Sequence, residues 1–289
     1  MELRPLMFRP TENPIDELYK FATPIGKMKE PKEAIKFIEW MPALTKPEHA
    51  YYAMLLVRAK ERREKFGYKG KEKALAKVIV PGYLRNPKLR LFLELRKLAL
   101  LAEYSYELFV YERHEPGTNT VSEIWRYPPD IVGVLVNVNI HNWVRASIKA
   151  ITEFIEGTWE VYSSGDYTRM TRLDDRVKSL APTTSAKGVK SYFTIDIDDR
   201  KVADEVLERV KEYTGFVPAR IITPRGMHIL VSWHDIPRER REEFRLNLLR
   251  KLPTEYGNLV EWKKIPQEPL PGTEYKKPGF IVRFKPEEK

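Results

Sequence analysis

Between Ser191 and Lys263 the sequence switches repeatedly between an apolar period of two and one near 3.6, which restricts the chain to few topologies. SYFTIDID reads as a strand, followed by a helix, RKVADEVLERVKEYTG, that Gly215 stops. A strand, FVPARIIT, turns at PRG into another, MHILVSW. A second helix starts at Pro237 and ends before Pro253, and NLVEWKK closes the unit as a strand. The order is βαββαβ.

That order predicts a split βαβ, RRM-like core over about residues 191–265, with sheet order 4-1-3-2 and the first strand in the middle. Side chains alternate along a strand, so Asp196 and Asp198 share one face while Phe193, Ile195 and Ile197 share the other. The same rule groups His228 with Leu230 and Ser232, and Glu261 with Leu259 and Lys263. If the apolar sets meet the helices, Asp196, Asp198, His228 and Glu261 converge on an open side. Three carboxylates on adjacent strands suit one or two hard divalent cations, Mg²⁺ or Mn²⁺, which prefer oxygen ligands. Thr223, Arg225 and Gly226 just before His228 form a turn in which a hydroxyl, a guanidinium and close backbone approach can meet a phosphate chain. Aromatics for base stacking would occupy this face in an RNA reader, and acids stand there instead.

Composition narrows the chemistry. The chain has no cysteine, which excludes a disulfide framework, a cysteine-ligated zinc and an iron–sulfur cluster within it. A formal charge of +10 favours a polyanionic partner. Gln267 is the sole glutamine amid abundant Lys, Glu and Arg, a bias that suggests a thermophile. No apolar run approaches a membrane span and MELRPLMFRP lacks a secretory h-region, so a cytoplasmic protein without a membrane partner is expected.

The first 120 residues read as a mainly helical domain of unspecified role. A short helix is expected near Ile15 to Phe21, one opening at Pro31, one from Pro47 through AYYAMLLVRAKERREKFG, and a long one from Pro87 to about Glu112. In the last, Leu91, Leu95, Leu98, Ala102 and Tyr106 would line a seam. HEPGTNTVSEIWRYPPD is the strongest break, which puts a second domain at 121–289. That domain begins with an accessory αβ unit: IVGVLVNVNI as strand, HNWVRASIKAITEFIEG as helix and TWEVYSS as strand. Its basic loop offers Arg169 and Arg172 as weak nucleic-acid contacts.

These pieces resemble the archaeo-eukaryotic primase superfamily, which shows a D-x-D at a strand end, a motif ending in histidine on a neighbouring strand, and a third acid on a later one. Here they are Asp196-Ile-Asp198, TPRGMH ending at His228, and LVEW with Glu261. PGTEYKKPGF, from Pro271 to Phe280, is similar to the family's P-G-S-L-H-G-K-T-G-L type segment, and the likeness spans roughly residues 160 to 285. It implies that Asp196, Asp198 and Glu261 hold the catalytic metals, that Thr223, Arg225 and His228 contact the triphosphate of an incoming nucleotide, and that Lys277 lies nearby. The third acid is Glu rather than the usual Asp, Gln267 to Leu270 replace the basic residue before the P-G segment, and zinc-binding cysteines are absent. Those departures point to a plasmid- or virus-type primase-polymerase.

The expectation is therefore an α+β DNA primase or primase-polymerase. It would join nucleoside triphosphates on a single-stranded DNA template with Mg²⁺ or Mn²⁺, beside other replication proteins or further domains. A rival of another class is a catalytically inactive, DNA-binding replication adaptor. A replication-initiator nuclease would want paired histidines and a nucleophilic tyrosine, and only His228 sits on this face.

Overall fold

The structure is a computed structural model that describes residues 15–57, 59–67, 72–114, 121–164, 173–184, 186–275, 277 and 279–288. In chain order its elements begin with α1 (Ile15–Tyr19), α2 (Pro31–Trp40), β1 (His49–Val57), α3 (Ala59–Phe66), β2 (Lys73–Pro81), α4 (Pro87–Glu103) and α5 (Ser105–Leu108). Next come β3 (Val110–His114), β4 (Val121–Arg126), β5 (Val132–Asn142), α6 (Trp143–Ser164) and α7 (Leu173–Leu180). Then follow β6 (Tyr192–Ile197), α8 (Arg200–Thr214), β7 (Ala219–Ile222), β8 (Met227–Ser232) and α9 (Arg241–Phe244), which continues as a π-helical turn, Arg245–Leu249. The chain ends with α10 (Leu252–Tyr256), β9 (Val260–Lys263), β10 (Gln267–Pro269) and β11 (Arg283–Lys285). The fold is α+β and its ladders are antiparallel.

The first sheet runs β10-β5-β1-β2. The N-terminal region contributes β1 and β2 to it beside the helices α1 to α5. The helix expected from Pro47 to Gly67 is instead β1 followed by α3. Every residue of β1 is buried. A strand covered on both faces has no alternation to display, so its continuous apolar run resembles a buried helix in one dimension. The sheet takes β1 and β2 from before the Pro/Gly-rich break at 114–130 and β5 and β10 from after it, while the break itself falls at the β3–β4 hairpin. α4 buries Leu91, Leu95, Leu98 and Ala102 as its spacing requires, but ends at Glu103 and leaves Tyr106 exposed on α5. The strand expected at TWEVYSS is the second half of α6. Nothing among the described residues pairs with it there, and a helix satisfies its backbone groups internally where a lone strand would not.

The second sheet runs β11-β7-β8-β6-β9. β6 pairs β8 on one side and β9 on the other. Asp199 caps α8, its carboxylate accepting from the amides of Lys201 at 2.8 Å and Val202 at 3.2 Å. One face packs Phe193, Ile195, Ile197, Ile229 and Val231 against Val206, Val210, Phe244 and Leu248 of the helices, the distribution that the period of two requires. The opposite face is not open. Tyr192, Ala219, Ile221, Leu230 and Phe284 join the core built on β1, β5, α2 and α4, so the sheet's polar row is covered at Asp196 and His228 while Glu261 at the β9 edge stays accessible. Asn139 of β5 stitches the two sheets, receiving the amide of Tyr192 at 2.7 Å and donating to its carbonyl at 2.9 Å.

The PGTEYKKPGF segment anchors this packing. The carbonyl of Gly272 receives the amides of Lys29 and Glu30, both at 2.9 Å, at the start of α2. Gly272 has φ +81°, and a Cβ there would lie 2.1 Å from the Glu30 carbonyl oxygen. Gly272→Ala is expected to lower unfolding free energy by at least about 2 kcal/mol, through combined steric and backbone strain. Urea denaturation followed by circular dichroism checks this.

Candidate functional site

The two ladders beside β6 place Asp196 opposite His228 on β8 and opposite Glu261 on β9, a single row across three strands. His228 Nε2 lies 3.0 Å from Asp196 Oδ1, and Nδ1 lies 2.5 Å from Glu268 Oε2. Glu268 belongs to β10 of the other sheet, and its second oxygen accepts a hydrogen bond from the Thr194 hydroxyl. Lys263 Nζ lies 2.5 Å from Asp196 Oδ2 and 3.5 Å from Glu261 Oε2. The site is thus a chain of alternating charge, Glu268, His228, Asp196 and Lys263, buried at one end and opening at Glu261.

With a carboxylate at each ring nitrogen, His228 donates from both and is an imidazolium. Burial alone would depress its pKa, but Asp196 and Glu268 outweigh burial and hold it at about 9. Burial would raise the carboxyl of Asp196, yet His228 and Lys263 pull it well below the usual carboxylate range. Both residues are charged at neutral pH.

The remaining expected site residues are dispersed. Asp198 lies one residue beyond β6, exposed, with its amide bonded to the Leu259 carbonyl at 2.8 Å. Glu261 keeps 71% of its side chain accessible. Thr223 is buried and closes the β7–β8 turn, its hydroxyl accepting the Gly226 amide at 3.3 Å, while Arg225 stands exposed on that turn. A Cβ on Gly226 would fall 1.9 Å from the Ile197 carbonyl oxygen, so only glycine lets the turn cross the end of β6 beside Asp198. Lys277 is exposed in the turn after Tyr275 and makes no contact with the row. Arg169 and Arg172 lie outside the described residues.

Two spaces border β9. A cavity of about 100 Å³ is lined by Asp196, His228 and Lys263 from one sheet and by Leu56, Leu135 and Tyr275 from the covering side. A cleft of about 720 Å³ lies toward the start of β6, with the aromatic rings of Tyr192, Phe193, Trp233 and Trp262 beside the cationic Arg245, Arg250 and Lys264. Ile265 borders both. His141 also lines the cleft; both its ring nitrogens are buried without a hydrogen-bond partner, and burial pushes its pKa down to about 4, so it is neutral.

The row suits a divalent cation in kind: its donors are carboxylate oxygens, and a cation, the Lys263 ammonium, already stands between Asp196 and Glu261. Among the described residues no three His, Asp or Glu side chains are gathered to hold a metal ion. An ion shared by Asp196 and Glu261 would therefore take the place of the ammonium.

Glu268 is the residue that sequence reasoning missed. It is 1% exposed, between Gln267 and Pro269 in a strand too short to show alternation, and its partners are 40 and 74 positions away. Lys263 is legible as sharing the face of Glu261, although its ion pair with Asp196 is not. A scan against models of known protein families finds no match, and searches of curated proteins and of solved structures find none. No helix among the described residues is long and apolar enough to cross a membrane.

The row carries a pH signature. His228 has a pKa raised by folding, so its contribution to stability is complete below about 6.5 and is lost as pH rises through about 9. Asp196 has a lowered pKa, so its contribution is present above about 3.9 and is lost as pH falls below that. Chemical denaturation between pH 5 and 10 in a metal chelator should show wild-type stability falling across the upper window, and the fall should be absent from His228→Gln.

Proposed function

We propose that the chain is a template-directed nucleotidyltransferase of the primase type, with its reaction centre at Asp196 and Glu261, paired across β6 and β9, and at Asp198 just beyond β6. The observation that carries this reading is the register of the β6, β8 and β9 ladders, which sets Asp196, His228 and Glu261 in one row. The βαββαβ order with β6 between β8 and β9 is consistent with an RRM-like core of that superfamily. Asp196, Asp198 and Glu261 would hold Mg²⁺ or Mn²⁺, which when bound neutralises triphosphate charge and activates an attacking hydroxyl.

The chain's own side chains supply the rest. His228, locked between Glu268 and Asp196, holds Asp196 ionised. Arg225, exposed on a turn pressed against the end of β6, is placed to meet a phosphate close to Asp198. Trp233 and Trp262, with Arg245, Arg250 and Lys264, combine π-faces with cations as single-stranded DNA requires.

A second reading is favoured by Lys263. An ammonium at 2.5 Å from Asp196 and 3.5 Å from Glu261 satisfies both acids without a metal, as an inactive DNA-binding adaptor would allow. Primer synthesis on single-stranded DNA with nucleoside triphosphates and Mg²⁺ or Mn²⁺ separates the two. The enzyme reading expects incorporation that Asp198→Ala or Glu261→Ala cuts by about a hundredfold or more, the usual cost of removing one group that stabilises reacting charge. Absent incorporation, or incorporation untouched by these substitutions, removes it.

Both readings place single-stranded DNA in the larger cleft. Arg245→Ala and Arg250→Ala should each lower the slope of log affinity against log salt by about 0.7, the release of one condensed counterion from a single strand. Fluorescence anisotropy with a labelled oligonucleotide across salt concentrations measures it.

A further inference from the structure

α6 turns Ala146 and Ala150 into the molecule and presents an apolar ridge to solvent. Val144, Ile148, Ile151, Ile155, Trp159 and Tyr162 are between 36% and 73% exposed. At about 100° per residue they fall on one stripe opposite the buried alanines. Isolated exposed apolar residues need no explanation, but a stripe along a 22-residue helix marks a contact surface.

Charge on its flank identifies the occupant. Arg145, Lys149, Glu156 and Glu160 are all exposed and lie on a second stripe beside the ridge, basic in the first half of α6 and acidic in the second. Two α6 helices laid antiparallel about a two-fold axis between Thr152 and Glu153 bring Arg145 against Glu160 and Lys149 against Glu156 in the same register. A two-fold keeps this flank on the same side of both helices, so each pair forms twice. A parallel two-fold pair would put this flank on opposite sides of the two helices and form none of these pairs.

We propose that the α6 ridge is covered by a second copy of this chain, in an antiparallel two-fold helix pair centred between Thr152 and Glu153. This stands on the helix alone, whether or not the protein transfers nucleotides.

Sedimentation velocity over a concentration series is expected to show a dimer that Ile155→Glu abolishes. Lys149→Glu and Glu156→Lys should each weaken it severalfold, and the double exchange should restore it, which a role in folding alone would not produce. The chain has no cysteine, so single ones can be introduced cleanly. Under mild oxidation Thr152→Cys should cross-link two copies near the axis. Thr158→Cys should not, because its two copies lie about 16 Å apart along the pair at 1.5 Å rise per residue. A monomer at all concentrations, a dimer that survives Ile155→Glu, a monomer that instead captures lipid vesicles through this face, or a cross-link at 158 rather than 152 would each overturn the proposal.

Discussion

The sandwich of two sheets depends on one buried chain of charge, from Glu268 through His228 and Asp196 to Lys263. Glu268 enters from the first sheet and the other three belong to the second, so the Glu268–His228 ion pair, with the Thr194–Glu268 hydrogen bond, crosses the interface and fixes how the sheets face each other. Buried charges cost several kcal/mol each in lost hydration unless partners restore it. Here both nitrogens of His228, both oxygens of Asp196 and both oxygens of Glu268 have partners. Apolar packing around them, such as the Phe37, Trp40, Tyr192 and Phe284 rings, supplies attraction without direction. The charges specify register.

The same chain orders the candidate site by exposure. At one end Glu268 and His228 are buried, and at its open end Glu261 is accessible, with Asp198 exposed just beyond β6. Lys263 stands at the boundary as a tethered cation, between the fully paired Asp196 and the accessible Glu261. A divalent ion bound there would compete with the ammonium for one position. The cleft on the other side of Ile265 carries aromatic and cationic groups, so the charged row and an aromatic, basic surface are adjacent along one strand edge.

Much of the second sheet was legible in the sequence because its strands have one apolar face and its first helix is capped at both ends. Asp199 starts α8, Gly215 ends it, and Gly226 marks the turn that crosses β6. In the first sheet β5 was legible as the strand IVGVLVNVNI, but β1 was not, for the opposite reason. β1 is buried on both faces and presents no period, so HAYYAMLLV carries the composition of a helix core as readily as that of a central strand. TWEVYSS, rich in β-branched and aromatic residues, forms a helix: among the described residues no strand lies beside it to pair with, and it continues α6.

By itself the sequence determined which residues share a face: Asp196, His228 and Glu261 on one side of three strands, and Phe193, Ile195 and Ile229 on the other. That follows from local geometry, since successive side chains in any strand point to opposite faces. Only the tertiary structure decided that the polar face is covered, that Glu268 reaches His228 from another sheet, and that Lys263 takes the free oxygen of Asp196. Those contacts join positions 40 and 67 apart in the chain, and no spacing rule reaches so far. They arise because burying the apolar surface of β1 and β5 against β6 and β8 leaves charged groups in the interface that must find partners there.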